Sequence, residues 1–187
     1  MVPLNVPNVL TVLRILLVPV LVVALVGHTK NGDLLAAGVF AAASVTDLLD
    51  GYLARARGSV TTFGKLMDPV ADKLLIIAAL VSLVSLGRLD AWVAMVIIAR
   101  ELAVTVMRAA ATQQGVVVAA SQLGKVKTVV QVATVFALIA VPDRPVWLQA
   151  LVYVTVAVTV ISGADFMFGL RRRLEAAARE RARPDAV

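Results

Sequence analysis

The chain has 187 residues, 60% of them hydrophobic and 16% charged, with a mean hydropathy of +0.92 and a formal net charge of +6. A soluble globular domain carries about 25% charged residues, so this composition excludes an ordinary soluble enzyme and predicts a protein embedded in a lipid bilayer. It contains no cysteine, which excludes disulfides, thiolate metal sites and thiol nucleophiles together.

Six apolar blocks follow one another, from Val9 to Val26, Leu34 to Ala54, Leu66 to Leu86, Ala91 to Ala111, Val126 to Val141, and Val146 to Leu170. Each approaches the roughly 20 residues that a transmembrane helix needs. The prediction is an all-α integral membrane protein with six transmembrane helices, one domain over residues 1–187, and a short basic C-terminal tail over 171–187. The first block lacks a basic n-region and is interrupted by Arg14 and Pro19, so it reads as a retained helix and not a signal peptide.

The basic residues set the orientation. With both termini in the cytoplasm, that side holds Arg55, Arg57, Lys65, Lys125, Lys127 and the arginines that follow Leu170, while the other side keeps Lys30, Arg88 and Arg144. The positive-inside rule favours this arrangement, in the cell's inner or plasma membrane. The basic tail anchors the last helix at the interface and attracts anionic headgroups, at about 1 kcal/mol per basic residue. Membrane topology thus accounts for the positive charge, and no nucleic-acid partner is expected.

Against this background four aspartates stand out, Asp47/Asp50 near the end of the second block and Asp68/Asp72 at the start of the third. A carboxylate at the centre of a membrane helix costs about 2.5–3.5 kcal/mol on insertion scales. Spacings of i, i+3 and i, i+4 put each pair on one helix face. Pro69 suits the first turn of the third helix, where its missing N–H is no loss. Salt bridges to Arg55 or Lys73 would account for one pair, but four carboxylates outnumber the nearby cations. Bridging carboxylates are what a two-metal site requires, and oxygen-only donors select Mg²⁺ or Mn²⁺ over Zn²⁺. Gly51, beside Asp50, gives a substrate room to approach. Arg108, Lys125 and Lys127 fall at the same membrane end as the aspartates, which implies a cavity open to the cytoplasm, acidic on one side and basic on the other.

Written out, the segment is Asp47-x2-Asp50-Gly51-x2-Ala54-Arg55-x8-Gly64-x3-Asp68-x3-Asp72. At all eight fixed positions it resembles the signature of the CDP-alcohol phosphotransferases. The opening Pro7-Asn8-Val9-Leu10-Thr11-Val12-Leu13-Arg14, the Ala99-Arg100-Glu101 segment and Gly124-Lys125-Val126-Lys127-Thr128 resemble the branch that forms phosphatidylglycerophosphate. The resemblance implies six transmembrane helices, a homodimer and a cytoplasm-facing site where CDP-diacylglycerol reacts with glycerol 3-phosphate. It further implies that Asp47, Asp50, Asp68 and Asp72 hold two divalent cations, with Asp72 also the general base. Gly51, Ala54 and Gly64 would line the cytidine pocket, and Arg55 would contact the diphosphate.

A phosphorylated acceptor needs cations beside the metals, and Arg108, Lys125 and Lys127 are the candidates, with Arg172 a weaker fourth. Inositol phosphate as acceptor would require the same aspartates. A small cation transporter also uses intramembrane carboxylates, but it would spread them along a path, and here they cluster at one side. Three bland expectations complete the reading. Glu101 orients an arginine, Arg14 and Asp165 form a structural pair at similar depth, and His28 is solvated on the outer side.

Overall fold

The computed structural model describes residues 6–27, 29, 31–57, 62–116 and 121–181, without the side chains of 6–8, 47–70, 72, 178, 180 and 181. It is all α-helical, in the order α1 (Val6–Val26), α2 (Gly32–Arg57), α3 (Thr62–Ser85), α4 (Ala91–Gln113), α5 (Gln122–Ala140) and α6 (Val146–Arg181). In hydrocarbon every backbone N–H and C=O must be satisfied within the segment, which makes the helix the default for such apolar runs. Pro19 lies inside α1, where it forgoes one backbone hydrogen bond.

Three of these helices are long and apolar enough to cross a membrane, at Val9–Val26, Gln122–Ala140 and Val146–Ala177, with mean hydropathies of 2.9, 1.6 and 1.8. Shorter apolar helical stretches cover Gly32–Thr46 and Lys73–Ser85. Helix α4 is not among these stretches, because it carries Arg100, Glu101 and Arg108. Large apolar side chains point outward around the bundle, including Val23 at 69%, Leu34 at 76%, Met95 at 66% and Val129 at 67% exposure. Apolar exposure on this scale suits contact with lipid and not with water.

One packing cluster draws on all six helices, through Leu21, Phe40, Leu80, Val93, Ile139 and Leu148. Helix α1 packs on α2 and α3, α5 joins that pair to α6, and α4 bridges α3 and α6. A second, smaller cluster holds α4 to α6 further along, through Val104, Ala111, Phe166 and Leu170, with Leu174 packed against it.

Several boundaries differ from the sequence expectation, each for a local reason. Helix α5 starts at Gln122, because Ser121 caps it by accepting the Gly124 N–H at 3.1 Å. Helix α3 starts at Thr62, so Pro69 lies well inside it and not in its first turn. Most of the basic tail continues α6 as far as Arg181. Arginine and alanine are strong helix formers, and Arg171 adds an i, i+4 ion pair with Glu175 at 2.8 Å. Residues 182–187 lie outside the described set.

The expected Arg14–Asp165 pair is not formed. Arg14 is 1% exposed on α1, against α2 and α3, whereas Asp165 is exposed on α6, which packs against α4 and α5. The similar depth expected from the sequence does not pair them, because their helices belong to different sides of the packing order. His28 and Lys30 lie outside the described residues.

At the end of the bundle away from the aspartates, charges are paired. Arg88 grips Asp33 with two hydrogen bonds of 2.7 and 2.9 Å, and also reaches the Ile139 carbonyl at 3.4 Å. Arg144, held at φ +50°, donates to the Gly87 carbonyl at 2.9 Å and meets Asp90 at 3.4 Å. The Arg88–Asp33 fork ties the start of α2 to the α3–α4 turn. Its side chains are 16% and 36% exposed, so Arg88→Ala is expected to cost about 1 kcal/mol. Thermal unfolding in detergent checks this. Asp33→Asn should lose as much as Arg88→Ala, and the double variant no more than either.

Candidate active site

Asp47, Asp50, Gly51, Ala54 and Arg55 fall on α2, and Gly64, Asp68 and Asp72 on α3. Their side chains lie outside the described residues. With both segments helical, the i, i+3 and i, i+4 spacings each give one helix face. The donor set is wholly carboxylate, which fits hard divalent cations such as Mg²⁺ or Mn²⁺. Among the described residues no group of three or more His, Cys, Asp or Glu could hold a metal, the four aspartate side chains lying outside that set.

The cationic candidates are described in full, and they divide. Lys127 is 3% exposed and forms an ion pair with Glu101 of α4. Lys125, two residues earlier, is exposed, because residues two apart on a helix do not share a face. Arg108 is exposed too, with its guanidinium 5.5 Å from the centre of the Phe166 ring on α6. That distance is within the range for a cation–π contact. Arg172 is exposed on α6.

Glu101 therefore does more than orient an arginine. Its carboxylate meets Lys127 of α5 and also stands 3.6 Å from Arg100 of its own helix. Arg100 in turn donates to Ser162 Oγ on α6 at 2.9 Å. Arg100 packs over Gly163 here, where an added Cβ would stand in van der Waals contact with Arg100 Cγ at 3.4 Å. Four side chains so tie three helices together at one level. Arg100 and Lys73 are both close enough to Lys127 to repel it electrostatically, and Arg108 does the same to Arg100. Lys73 directly follows Asp72, so the basic cluster converges on the stretch of α3 that carries this aspartate.

A buried polar seam runs inward from this cluster between α5 and α6. It comprises Gln131 and Thr134 on α5 with Thr155, Thr159 and Ser162 on α6, all no more than 3% exposed. Thr134 and Thr155 share a 2.7 Å hydrogen bond between their hydroxyls. Sequence reasoning passed over this seam. Its signal was present as polar residues at positions 127, 131 and 134, and again at 155, 159 and 162, three or four residues apart in otherwise apolar helices.

Comparison with known proteins adds independent findings. A family model described as CDP-alcohol phosphatidyltransferase matches residues 4–161. A Mycobacterium tuberculosis (strain H37Rv) protein named probable phosphatidylglycerophosphate synthase is 42% identical over 168 residues, covering 87% of this chain and 80% of the relative. A Bacillus subtilis (strain 168) protein named CDP-diacylglycerol–glycerol-3-phosphate 3-phosphatidyltransferase is 41% identical over 179 residues, covering 87% and 93%. A protein of the same name from Rickettsia felis is 41% identical over 127 residues, covering 68% and 70%.

Proposed function

Because the chain belongs to the CDP-alcohol phosphatidyltransferase family, we propose that it transfers the phosphatidyl group of CDP-diacylglycerol to sn-glycerol 3-phosphate, giving phosphatidylglycerophosphate and CMP. The observation that carries this reading is the similarity over 87% of the chain to proteins bearing that activity in their names. The intact aspartate signature on α2 and α3 agrees with it.

In this reading a primary hydroxyl oxygen of the acceptor attacks the phosphorus that bears the diacylglycerol. The bond from that phosphorus to the oxygen of CMP breaks, and CMP departs as a stable anion. Asp72 takes the hydroxyl proton, which requires hydrogen-bond reach of the attacking oxygen. Two divalent ions, Mg²⁺ or Mn²⁺, would be held by Asp47, Asp50, Asp68 and Asp72 and would supply charge neutralisation at the diphosphate. Arg55 contacts the diphosphate, while Gly51, Ala54 and Gly64 leave room for the cytidine. Transfer of this kind relies mainly on positioning and electrostatics, which suits a site assembled from helix faces.

The acceptor's phosphate is met by Arg108, Lys125 and Lys127, with the exposed pair at the rim and Lys127 deeper. The surplus of cations over carboxylates around Glu101 supports an anionic ligand there. We read the chain as one membrane domain of six spans with both termini and the site on the cytoplasmic side, acting as a homodimer in the inner or plasma membrane. The small number of basic residues at the opposite end, Arg88 and Arg144 among the described ones, supports that orientation.

Purified protein supplied with CDP-diacylglycerol, Mg²⁺ or Mn²⁺ and a series of acceptors tests the reading. Glycerol 3-phosphate should stimulate CMP release well beyond serine or inositol phosphate. Chelation with EDTA should abolish release, and excess divalent ion should restore it. Absence of stimulation by glycerol 3-phosphate would overturn the assignment of the acceptor, and full activity in EDTA would overturn the metal role.

A further inference from the structure

The register of α5 against α6 is fixed by the Thr134–Thr155 hydrogen bond of 2.7 Å. The two helices are antiparallel, so one turn back along α5 brings Gln131 level with Thr159, and the next brings Lys127 level with Ser162. Three polar rungs result. The innermost is closed by its own hydroxyl pair, and beyond it the packing is apolar, through Leu138, Ile139 and Leu148. The outermost is occupied by the ionic cluster, where Ser162 accepts from Arg100 and Lys127 meets Glu101.

The middle rung is different. Gln131 is 3% exposed and Thr159 is 0% exposed, yet Gln131 Oε1 and Thr159 Oγ1 hydrogen-bond to no described residue. Buried polar atoms are nearly always paired in native proteins, and an orphan calls for an explanation. Two orphans at one level lie between the closed hydroxyl pair and the ionic cluster, whose own Arg100 Nε is likewise without a hydrogen-bond partner, and they suit a third polar group between them. Their chemistry is complementary to a hydroxyl, since an amide oxygen accepts its proton while a threonine hydroxyl donates to its oxygen. One helical turn, about 5.4 Å, separates this rung from Lys127, a gap that a three-carbon phosphate can bridge.

We propose that Gln131 and Thr159 form a hydroxyl-binding subsite that recognises the second, non-reacting hydroxyl of a polyol phosphate acceptor. This rests on the acceptor reading given above, and it makes the α5–α6 seam the element that selects glycerol 3-phosphate over phosphorylated alcohols lacking that group. The phosphate is held at the cationic rung and its neighbours, the reacting hydroxyl faces Asp72, and the remaining hydroxyl is read one turn further in.

The test compares glycerol 3-phosphate with 3-hydroxypropyl phosphate, which keeps the phosphate and the reacting hydroxyl but lacks the second one. Wild-type protein, Thr159→Val and Gln131→Leu are assayed with both acceptors. Wild type should favour glycerol 3-phosphate in kcat/KM by about tenfold, the order expected from one or two hydrogen bonds. Each variant should bring that ratio close to one. Thermal midpoints should be retained or raised, because an apolar replacement relieves an unpaired buried group. A ratio unchanged in both variants, or an equal loss with both acceptors, overturns the subsite and assigns the rung to packing or to a fixed water. Wild-type protein that releases no CMP with either acceptor instead defeats the acceptor reading itself.

Discussion

Asp72→Asn is expected to lower CMP release by about 10³-fold, within the range that a positioned general base contributes. Asparagine matches the shape of aspartate and keeps an oxygen able to face a cation, but it cannot take up the proton of the attacking hydroxyl. The choice of Asp72 over the other three carboxylates follows from the family resemblance of the signature, in which the last aspartate takes that role. A titration with Mg²⁺ separates the two roles the residue could have. A loss of ligation would be rescued by raising the ion concentration, whereas a loss of the base would persist at saturation. Retention of wild-type activity would remove Asp72 from the base role.

Lys127→Ala and Glu101→Leu should each destabilise the bundle by about 3–5 kcal/mol, the cost of leaving one partner of a buried ion pair uncompensated. Lys127 is 3% exposed, and the Glu101 side chain is 16% exposed. The double variant Lys127→Met/Glu101→Leu removes both charges and keeps similar volume, so it should recover most of that stability. It should not recover function, with KM for glycerol 3-phosphate remaining at least tenfold raised while KM for the lipid substrate changes little. Thermal unfolding in detergent and steady-state kinetics on the same three variants provide the measurements. Recovery of acceptor affinity in the double variant would reduce the pair to a purely structural tie.

What the sequence made legible, and what it did not, follows from the range of the interactions involved. The six helices were visible because each is a local apolar run, and the four aspartates because charge inside such a run is costly. Helix ends were less accessible. The start of α5 depends on one Ser121 cap, and the extension of α6 on arginine and alanine propensity aided by an Arg171–Glu175 pair. Pairing between helices was least accessible of all. Arg14 and Asp165 were expected at one depth yet sit on helices that pack elsewhere, while Glu101, assigned to an arginine, also meets a lysine on α5. Depth can be read from a single chain, but rotation and neighbour choice depend on how all the faces pack. Lys125 and Lys127 make the point within one helix, since their separation by two residues sends one outward and the other into the core.

Helix α6 is continuous from Val146 to Arg181, and it carries in series Thr155, Thr159, Ser162, Phe166 and Leu174. All of these but Thr159 meet a different partner, so the helix acts as a single ruler whose marks cannot be shifted separately. Loss or gain of one residue between Thr155 and Leu174 would turn everything downstream by about 100°. It would carry Ser162, Phe166 and Leu174 away from Arg100, Arg108 and the α4 cluster together. Length variation among natural homologues should therefore be absent from this stretch and gather in the connecting turns, even where the side chains between the marks have diverged freely.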